Sequence, residues 1–278
     1  SPNDNRIGLV IRDNNGEYVL INGNQIVMIF LNYLMTRNTE LGTLTGNEYI
    51  VKTIVTTETI RTIAEAQHIK MYDCFTGFKW IANVMRENEG KARYLGGGEE
   101  SYGFLAEDFV RDKDSVSAIS LMAEIAAWAK DKGLNMTDML IDIYMKYGFS
   151  REKGISLVRK GKSGAEEIIA LMKQFRENPP KEIAGSPVVT VKDFQSLVET
   201  NVATGETKKL DMPATSNVLQ YYTADRTKVS VRPSGTEPKI KFYIEVHDTL
   251  ASADEYKATE ARADEKIDRI AKEFGITK

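Results

Sequence analysis

Residues 50–72 read Ile50-Val51-Lys52-Thr53-Ile54-Val55-Thr56-Thr57-Glu58-Thr59-Ile60-Arg61-Thr62-Ile63-Ala64-Glu65-Ala66-Gln67-His68-Ile69-Lys70-Met71-Tyr72. The first six residues form a strand-like run. From Thr57 to Ala66 the pattern turns helical, with Ile60, Ile63 and Ala64 on one face, and Ile69–Tyr72 is again a short strand. The same alternation extends in both directions. Upstream, Ile26, Val27, Ile29, Phe30, Tyr33 and Leu34 recur at helical spacing, and downstream Phe78, Ile81, Val84 and Met85 mark another helix. The alanine-rich run from Ser115 to Lys132 stops at Gly133, and Thr137 is placed to cap a further helix through Tyr147. Strands alternating with helices predict an α/β fold, a three-layer α/β/α domain on a mostly parallel sheet over residues 21–146.

The flanking segments read differently. Ile7–Arg12 and Tyr18–Ile21 surround Asp13-Asn14-Asn15-Gly16, and Asn-Gly favours a hairpin turn because both residues tolerate positive φ. Two strands alone are marginal, so residues 1–20 are expected to be the tail of a preceding domain. Residues 147–180 have a helical centre at Ile168, Ile169, Leu171 and Met172 and close on Pro179-Pro180, which no helix continues through; they are expected to be a connector. In residues 181–278, strand runs at Val188–Val191, Val218–Tyr222, Lys228–Val231 and Ile240–Val246 precede a charged helix from about Ser252 to Phe274. That order predicts a small α+β C-terminal domain.

Composition bounds the function. In 278 residues, 37 Lys plus Arg against 40 Asp plus Glu leave a net charge of −3, with 42% hydrophobic and 28% charged residues. This excludes a disordered acidic tail and a strongly basic nucleic-acid binder. The single cysteine, Cys74, excludes an internal disulfide framework and fits a reducing, cytoplasmic setting. No apolar run approaches the ~20 residues that span a bilayer, so no membrane partner is expected. The chain opens on Ser1 rather than Met and enters a strand almost at once, so it is expected to be a piece of a longer protein.

Three segments could carry chemistry. In Val231-Arg232-Pro233-Ser234-Gly235-Thr236-Glu237-Pro238-Lys239, Arg232 offers a planar fork of donors suited to phosphate oxygens. Ser234 and Thr236 add hydroxyls there, and Gly235 lets backbone N–H groups converge in an anion nest. The residues read equally as a polar hairpin loop in which Pro and Gly serve the turn. In Leu95-Gly96-Gly97-Gly98-Glu99-Glu100-Ser101-Tyr102-Gly103-Phe104, three glycines bring the backbone close to whatever binds, and carboxylates and a hydroxyl follow that can hold sugar hydroxyls. The alternative is a flexible surface loop of solvated acids. Thr76-Gly77-Phe78-Lys79-Trp80 lies at a strand-to-helix junction, the usual ligand edge of an open α/β sheet. Lys79 there could present charge or move a proton, or could be an exposed lysine at a helix start. His68 and His247 are too far apart in sequence to suggest a metal pair, and Cys74 reads as a small core residue.

In this order the three segments resemble the α-D-phosphohexomutase family, the phosphoglucomutases and phosphomannomutases. Gly97–Phe104 is similar to the family's sugar-binding loop, Arg232–Lys239 to its phosphate-binding loop, and Thr76–Lys79 to its sugar-specificity loop. Glu-Glu-Ser-Tyr-Gly-Phe-Leu from Glu99 and Arg111-Asp112-Lys113-Asp114 resemble the branch with bacterial phosphoglucomutases and phosphopentomutases. The resemblance implies that residues 21–146 and 181–278 are the family's third and fourth domains. It also implies a phosphorylated sugar, hexose or pentose, as partner, together with the missing N-terminal domains. The implied reaction moves a phosphoryl group between sugar hydroxyls through a phosphoserine and a bisphosphorylated sugar.

On this resemblance Gly77, Glu99, Ser101, Arg232, Ser234, Gly235 and Thr236 bind substrate, while Lys79 and Arg6 stand near the chemistry. Some members carry a histidine two places after the loop serine; here that place is Gly103. The family's nucleophilic Thr-Ala-Ser-His-Asn-Pro type motif does not occur in this sequence. Where the family's Asp-Pro-Asp-x-Asp-Arg loop holds magnesium, this chain reads Ser1-Pro2-Asn3-Asp4-Asn5-Arg6, and neutral oxygens bind a hard dication more weakly than carboxylates. Magnesium is implied for the full-length family, and no metal site is expected here. The expectation is a fragment of a phosphosugar mutase, inactive alone. The alternative is a non-catalytic phosphosugar-binding protein, which the two asparagines favour slightly. A nucleotide-binding α/β protein lacks its phosphate loop here, since no Walker-type or Gly-x-Gly-x-x-Gly turn follows a strand.

Overall fold

The computed structural model describes residues 5–159, 161–235 and 237–277. Its contacts divide the chain into two compact units, one of residues up to Phe149 with Leu250–Ala253, the other of Ser150–Thr249 with the chain from Asp254 onward.

In the first unit, β1 (Leu9–Arg12) and β2 (Tyr18–Ile21) pair as the expected antiparallel hairpin. The turn runs through five residues closed by an Asp13–Glu17 backbone bond, and Gly16 alone takes positive φ. Helix α1 (Gly23–Leu41) begins at a capping box in which Asn22 accepts from the Gln25 N–H and Gln25 accepts from the Asn22 N–H, each at 2.9 Å. Then follow β3 (Glu48–Thr53), α2 (Thr59–Ala66), β4 (Lys70–Cys74), α3 (Phe78–Asn88), β5 (Arg93–Glu99), β6 (Gly103–Ala106), α4 (Ser115–Asp131) and α5 (Met136–Tyr147). The sheet order is β4-β3-β5-β6, with β3 parallel to both β4 and β5 and with β6 antiparallel at the edge. On one face α3 packs Phe78, Ile81, Val84 and Met85 against Tyr49, Val51, Tyr94 and Leu105. On the other lies α1, whose Val27, Leu31 and Leu34 come against β5. This is the expected α/β/α layering. Helix α5 starts at Asn135, which with Asp138 forms a second capping box, so Thr137 is an interior residue rather than the cap.

The glycines of β5 differ from expectation. Gly96, Gly97 and Gly98 lie within a buried strand and line no open loop. A Cβ on Gly98 would stand 2.6 Å from Val27 Cγ2, and one on Gly97 would stand 2.7 Å from the Val51 carbonyl oxygen. They are glycines because the helix above and the strand beside leave no room for side chains.

The second unit is built on an eight-stranded sheet: β7 (Phe149–Val158), β8 (Glu182–Ile183), β9 (Ser186–Asp193), β10 (Val198–Asn201), β11 (Thr207–Lys209), β12 (Leu219–Thr223), β13 (Lys228–Pro233) and β14 (Lys239–Asp248). Its order is β11-β10-β9-β12-β13-β14-β7, with β8 paired to β9. Helices α6 (Gly161–Glu177) and α7 (Tyr256–Glu273) pack on β13 and β14, and Phe175, Phe242 and Phe274 cluster beneath them. The stretch 147–180, expected as a connector, therefore carries a strand and a helix of this unit. The two proline-free segments between Gly148 and Glu177 are long enough to be elements in their own right. No helix among the described residues is long and apolar enough to cross a membrane.

Candidate functional site

In the first unit the C-terminal ends of β3, β4 and β5 lie side by side, because parallel pairing puts Thr53, Cys74 and Gly98 at one edge. Chain turns leave the sheet there, as they do at the ligand edge of open α/β sheets. Gly77 caps α3 at φ 107°, in the region that favours glycine. Its N–H donates to Glu99 Oε1 at 2.8 Å, which ties the turn after β4 to the end of β5. Glu99 is 4% exposed, so the sequence alternative of a solvated acid is overturned.

After Glu99 the chain bends back through Glu100, Ser101 and Tyr102 into β6. The Tyr102 N–H bonds the Glu99 carbonyl at 3.1 Å, and Tyr102 takes φ 72°. Ser101 is half-buried on this bend. Two other segments brace it. The Ile7 N–H donates to the Tyr102 carbonyl at 3.2 Å, which brings the exposed Arg6 beside the bend. Gly23, at the start of α1, is so close that a Cβ there would stand 2.0 Å from the Glu100 carbonyl oxygen. Lys79 is exposed, its ammonium 5.3 Å from the centre of the Trp80 ring.

Two residues that no spacing flagged belong to this edge. A Cβ on Gly103 would meet Lys113 Cδ at 2.8 Å and Glu99 Oε2 at 3.0 Å, so the Lys113 side chain fills the space beside the Glu99 carboxylate. Its ammonium lies 5.6 Å from the Phe78 ring centre and pairs with Asp112 at 3.0 Å. Lys52 is fully buried under the edge and pairs with Asp73 at 2.8 Å and Glu58 at 3.0 Å, while Arg61 bonds the same two acids. Strand position alone hid Lys52, because it sits in an otherwise apolar run. Cys74 is buried, and its thiol is pushed up first by burial and then by the charges of Asp73 and Glu99, which fits the small core residue expected.

In the second unit Arg232 lies near the end of β13 opposite Lys241. Between β13 and β14 the Ser234 N–H donates to the Lys239 carbonyl at 2.7 Å, and Gly235 is exposed. Thr236 lies outside the described residues. Glu237 pairs with Lys239, whose ammonium holds that carboxyl below the usual carboxylate range.

The implied magnesium finds a poor donor set. Ser1–Asp4 lie outside the described residues; the neighbouring Asn5 presents a buried amide oxygen without a hydrogen-bond partner. Among the described residues no three His, Cys, Asp or Glu side chains cluster as a metal site. Amide oxygens at positions 3 and 5 hold a hard dication more weakly than the carboxylates of the family pattern.

Residues 22–147 match the family model described as phosphoglucomutase/phosphomannomutase, alpha/beta/alpha domain III, and residues 171–263 match the one described as phosphoglucomutase/phosphomannomutase, C-terminal domain. A phosphoglucomutase of Staphylococcus epidermidis is 35% identical over 243 residues, 87% of this chain and 43% of the relative. One from Staphylococcus aureus is 34% identical over the same shares. The chain thus spans less than half the length of the curated relatives it matches. Among solved structures, parafusin, an exocytosis-sensitive phosphoprotein and phosphoglucomutase from Paramecium, superposes with a TM-score of 0.57 at 14% identity. It covers 92% of this chain and 43% of that one. A phosphoglucomutase/phosphomannomutase family protein from Burkholderia thailandensis gives 0.55 at 17% identity, covering 98% and 45%. At these identities the likeness shows the fold.

Proposed function

The chain belongs to the phosphoglucomutase/phosphomannomutase family, and from that premise we propose that it supplies the sugar and phosphate recognition of a phosphosugar mutase. The observation that carries this reading is the bond from the Gly77 N–H to buried Glu99, which fixes two segments at one sheet edge with the Lys113 side chain alongside. A carboxylate held by a backbone N–H and flanked by a serine hydroxyl accepts and donates to vicinal sugar hydroxyls. Glu99 and Ser101 hold those hydroxyls, and Gly77 shapes the turn that meets the ring.

Arg232, Ser234, Gly235 and Thr236 grip the phosphate that is not being transferred. Most of the catalytic effect in such a transfer comes from positioning and from charge stabilisation. Lys113, beside Gly103 and Glu99, is better placed than exposed Lys79 to take or return the proton of a sugar hydroxyl. Arg6, held beside the bend, adds positive charge toward the transferring group. The phosphoserine comes from outside this chain, which makes the isolated chain a binding unit and not a turnover catalyst.

Titration of the chain with glucose 1-phosphate, followed by amide chemical shifts, tests the reading. Shifts at Gly77, Tyr102 and Ser234 are expected, with no conversion in a coupled assay. Turnover above background by the chain alone would overturn the assignment of the nucleophile elsewhere. Shift changes that persist in Arg232→Ala would overturn the phosphate loop. The second reading, a phosphosugar-binding protein without chemistry, is favoured by Asn3 and Asn5. It predicts that supplying a phosphorylated nucleophile domain restores no turnover.

A further inference from the structure

Between the two residues assigned to the sugar stands Glu100, whose side chain reaches the end of β3. Its Oε2 lies 3.1 Å from Thr53 Oγ1 and 3.3 Å from Thr56 Oγ1, and the two hydroxyls are 2.9 Å from each other. The Glu100 N–H donates back to Thr56 Oγ1 at 3.3 Å. One residue is therefore held by both its backbone and its side chain against the end of β3, by two threonines that are fully buried. On the other side of the bend, its carbonyl oxygen lies against Gly23 at the start of α1. The neighbouring Asn24 accepts from the Thr57 N–H at 2.9 Å, which joins that helix end to the same β3–α2 turn.

We propose that Glu100, with Thr53 and Thr56, is a positioning unit that clamps the 99–102 bend so that Glu99 and Ser101 face the sugar in a fixed geometry. It rests on the sugar-binding reading above, and Glu100 itself touches no substrate in it. In the bend that leaves β5, anchoring Glu100 by its N–H and its carboxyl fixes the backbone on both sides of it, and with that the directions of Glu99 and Ser101. The two hydroxyls and the carboxyl close a three-membered ring of hydrogen bonds. A ring of this kind holds direction better than a single bond, since losing any member leaves a buried polar group without its partner. The carboxyl is pushed above the usual carboxylate range, first by burial and then by the charge of Glu99. A protonated carboxyl can donate one bond to the threonine pair and accept another; glutamine sets either two amide N–H donors or one acceptor oxygen at that point, so it keeps contact with both threonines without carrying a charge.

The test is a pair of variants of the whole chain, Glu100→Gln and Glu100→Ala, read in two ways. Hydrogen exchange at the Gly77 and Tyr102 amides reports the set of the bend without any ligand. Exchange is expected to rise about tenfold in Glu100→Ala, corresponding to about 1.4 kcal/mol of local opening, and to stay near wild type in Glu100→Gln. Equal exchange in wild type and Glu100→Ala overturns the clamp, whatever the ligand. Binding of glucose 1-phosphate and of inorganic phosphate supplies the second readout. Glu100→Ala is expected to weaken the sugar ester several-fold, with inorganic phosphate unchanged and the glutamine variant restored. A loss shared equally by both ligands, or no rescue by glutamine, overturns positioning in favour of general destabilisation. If wild type does not distinguish the two ligands, the sugar-binding reading fails, and the exchange arm still decides the clamp.

Discussion

Glu100 also links the site to stability through its proton. Its folded-state proton affinity is raised, by burial first and by Glu99 second, against the opposing bonds from Thr53 and Thr56. An acid whose pKa is higher folded than unfolded contributes stability that is complete below the ordinary carboxylate range. That contribution is lost as pH rises through the folded value. Glutamine is neutral throughout, so Glu100→Gln is expected to match wild type near pH 4 and to exceed it near pH 8 in urea unfolding. A variant that loses stability at pH 8 would show that the ionised carboxylate is what the threonines hold. Lys52 bears on stability through its contacts. It is a fully buried ammonium with two acids and two carbonyl oxygens as partners, those of Thr53 and Thr56 at 3.4 and 3.3 Å. Lys52→Met takes the buried ammonium away from Glu58 and Asp73 and is expected to cost about 3 kcal/mol, measured as a drop in the urea midpoint at constant slope. Glu99 and Gly77 were legible in the sequence because their types and neighbours suit a ligand edge. The partners of Glu100 lie 44 and 47 residues upstream, and Lys113 meets Gly103 only after the chain has turned back along β6. No local pattern encodes such pairs.

Among the elements, β5 shows how a glycine run can mislead. The run Gly96-Gly97-Gly98 has neither the β-branched residues nor the alternation that marks a strand, so sequence alone reads it as a loop. The reason for three glycines lies in what covers them. Gly97 faces the α3 side, where a Cβ would strike the Val51 carbonyl oxygen at 2.7 Å, and Gly98 faces Val27 of α1. Gly97→Ala is expected to cost about 2 kcal/mol or more, since the obstruction is backbone of a central strand, and to shift the β3 amide resonances. A near-neutral result would mean that β3 and β5 separate easily. The strands and helices on either side of residues 50–72 were legible because their apolar spacing is regular and their ends carry turn chemistry. Helix α5 is the instructive exception. Thr137 offered a hydroxyl, but Asn135 and Asp138 exchange bonds as a box, which leaves Thr137 to donate to the Arg12 carbonyl at 3.0 Å. Asn135→Ala should therefore cost about 1 kcal/mol through the cap, and helix content over residues 136–147 should fray in carbonyl chemical shifts.

For the molecule as a whole, the two units divide the chemistry as they divide the fold. The first carries carboxylates and hydroxyls at a parallel-sheet edge, which suit a polyol. The second carries Arg232 near the end of a hairpin strand, and a guanidinium fork suits a phosphate. Both proposed chemistries were readable in the sequence, because each rests on a contiguous segment of nine or ten residues. The sequence showed the helical centre at Ile168–Met172 but not that residues 150–158 and 161–177 complete the second unit, since an edge strand of alternating exposure has little apolar signal and local spacing does not say which sheet a helix covers. On the proposed function, each unit's variant has its own ligand signature. Inorganic phosphate affinity should fall at least tenfold in Arg232→Ala and be unchanged in Glu99→Gln, because no sugar contact is at stake. Glucose 1-phosphate should lose affinity in both variants, and its advantage over inorganic phosphate should vanish in Glu99→Gln. Calorimetric titration of the three proteins with the two ligands gives all six values. An undiminished advantage in Glu99→Gln would remove the carboxylate from sugar recognition and leave its bond to the Gly77 N–H as its whole role.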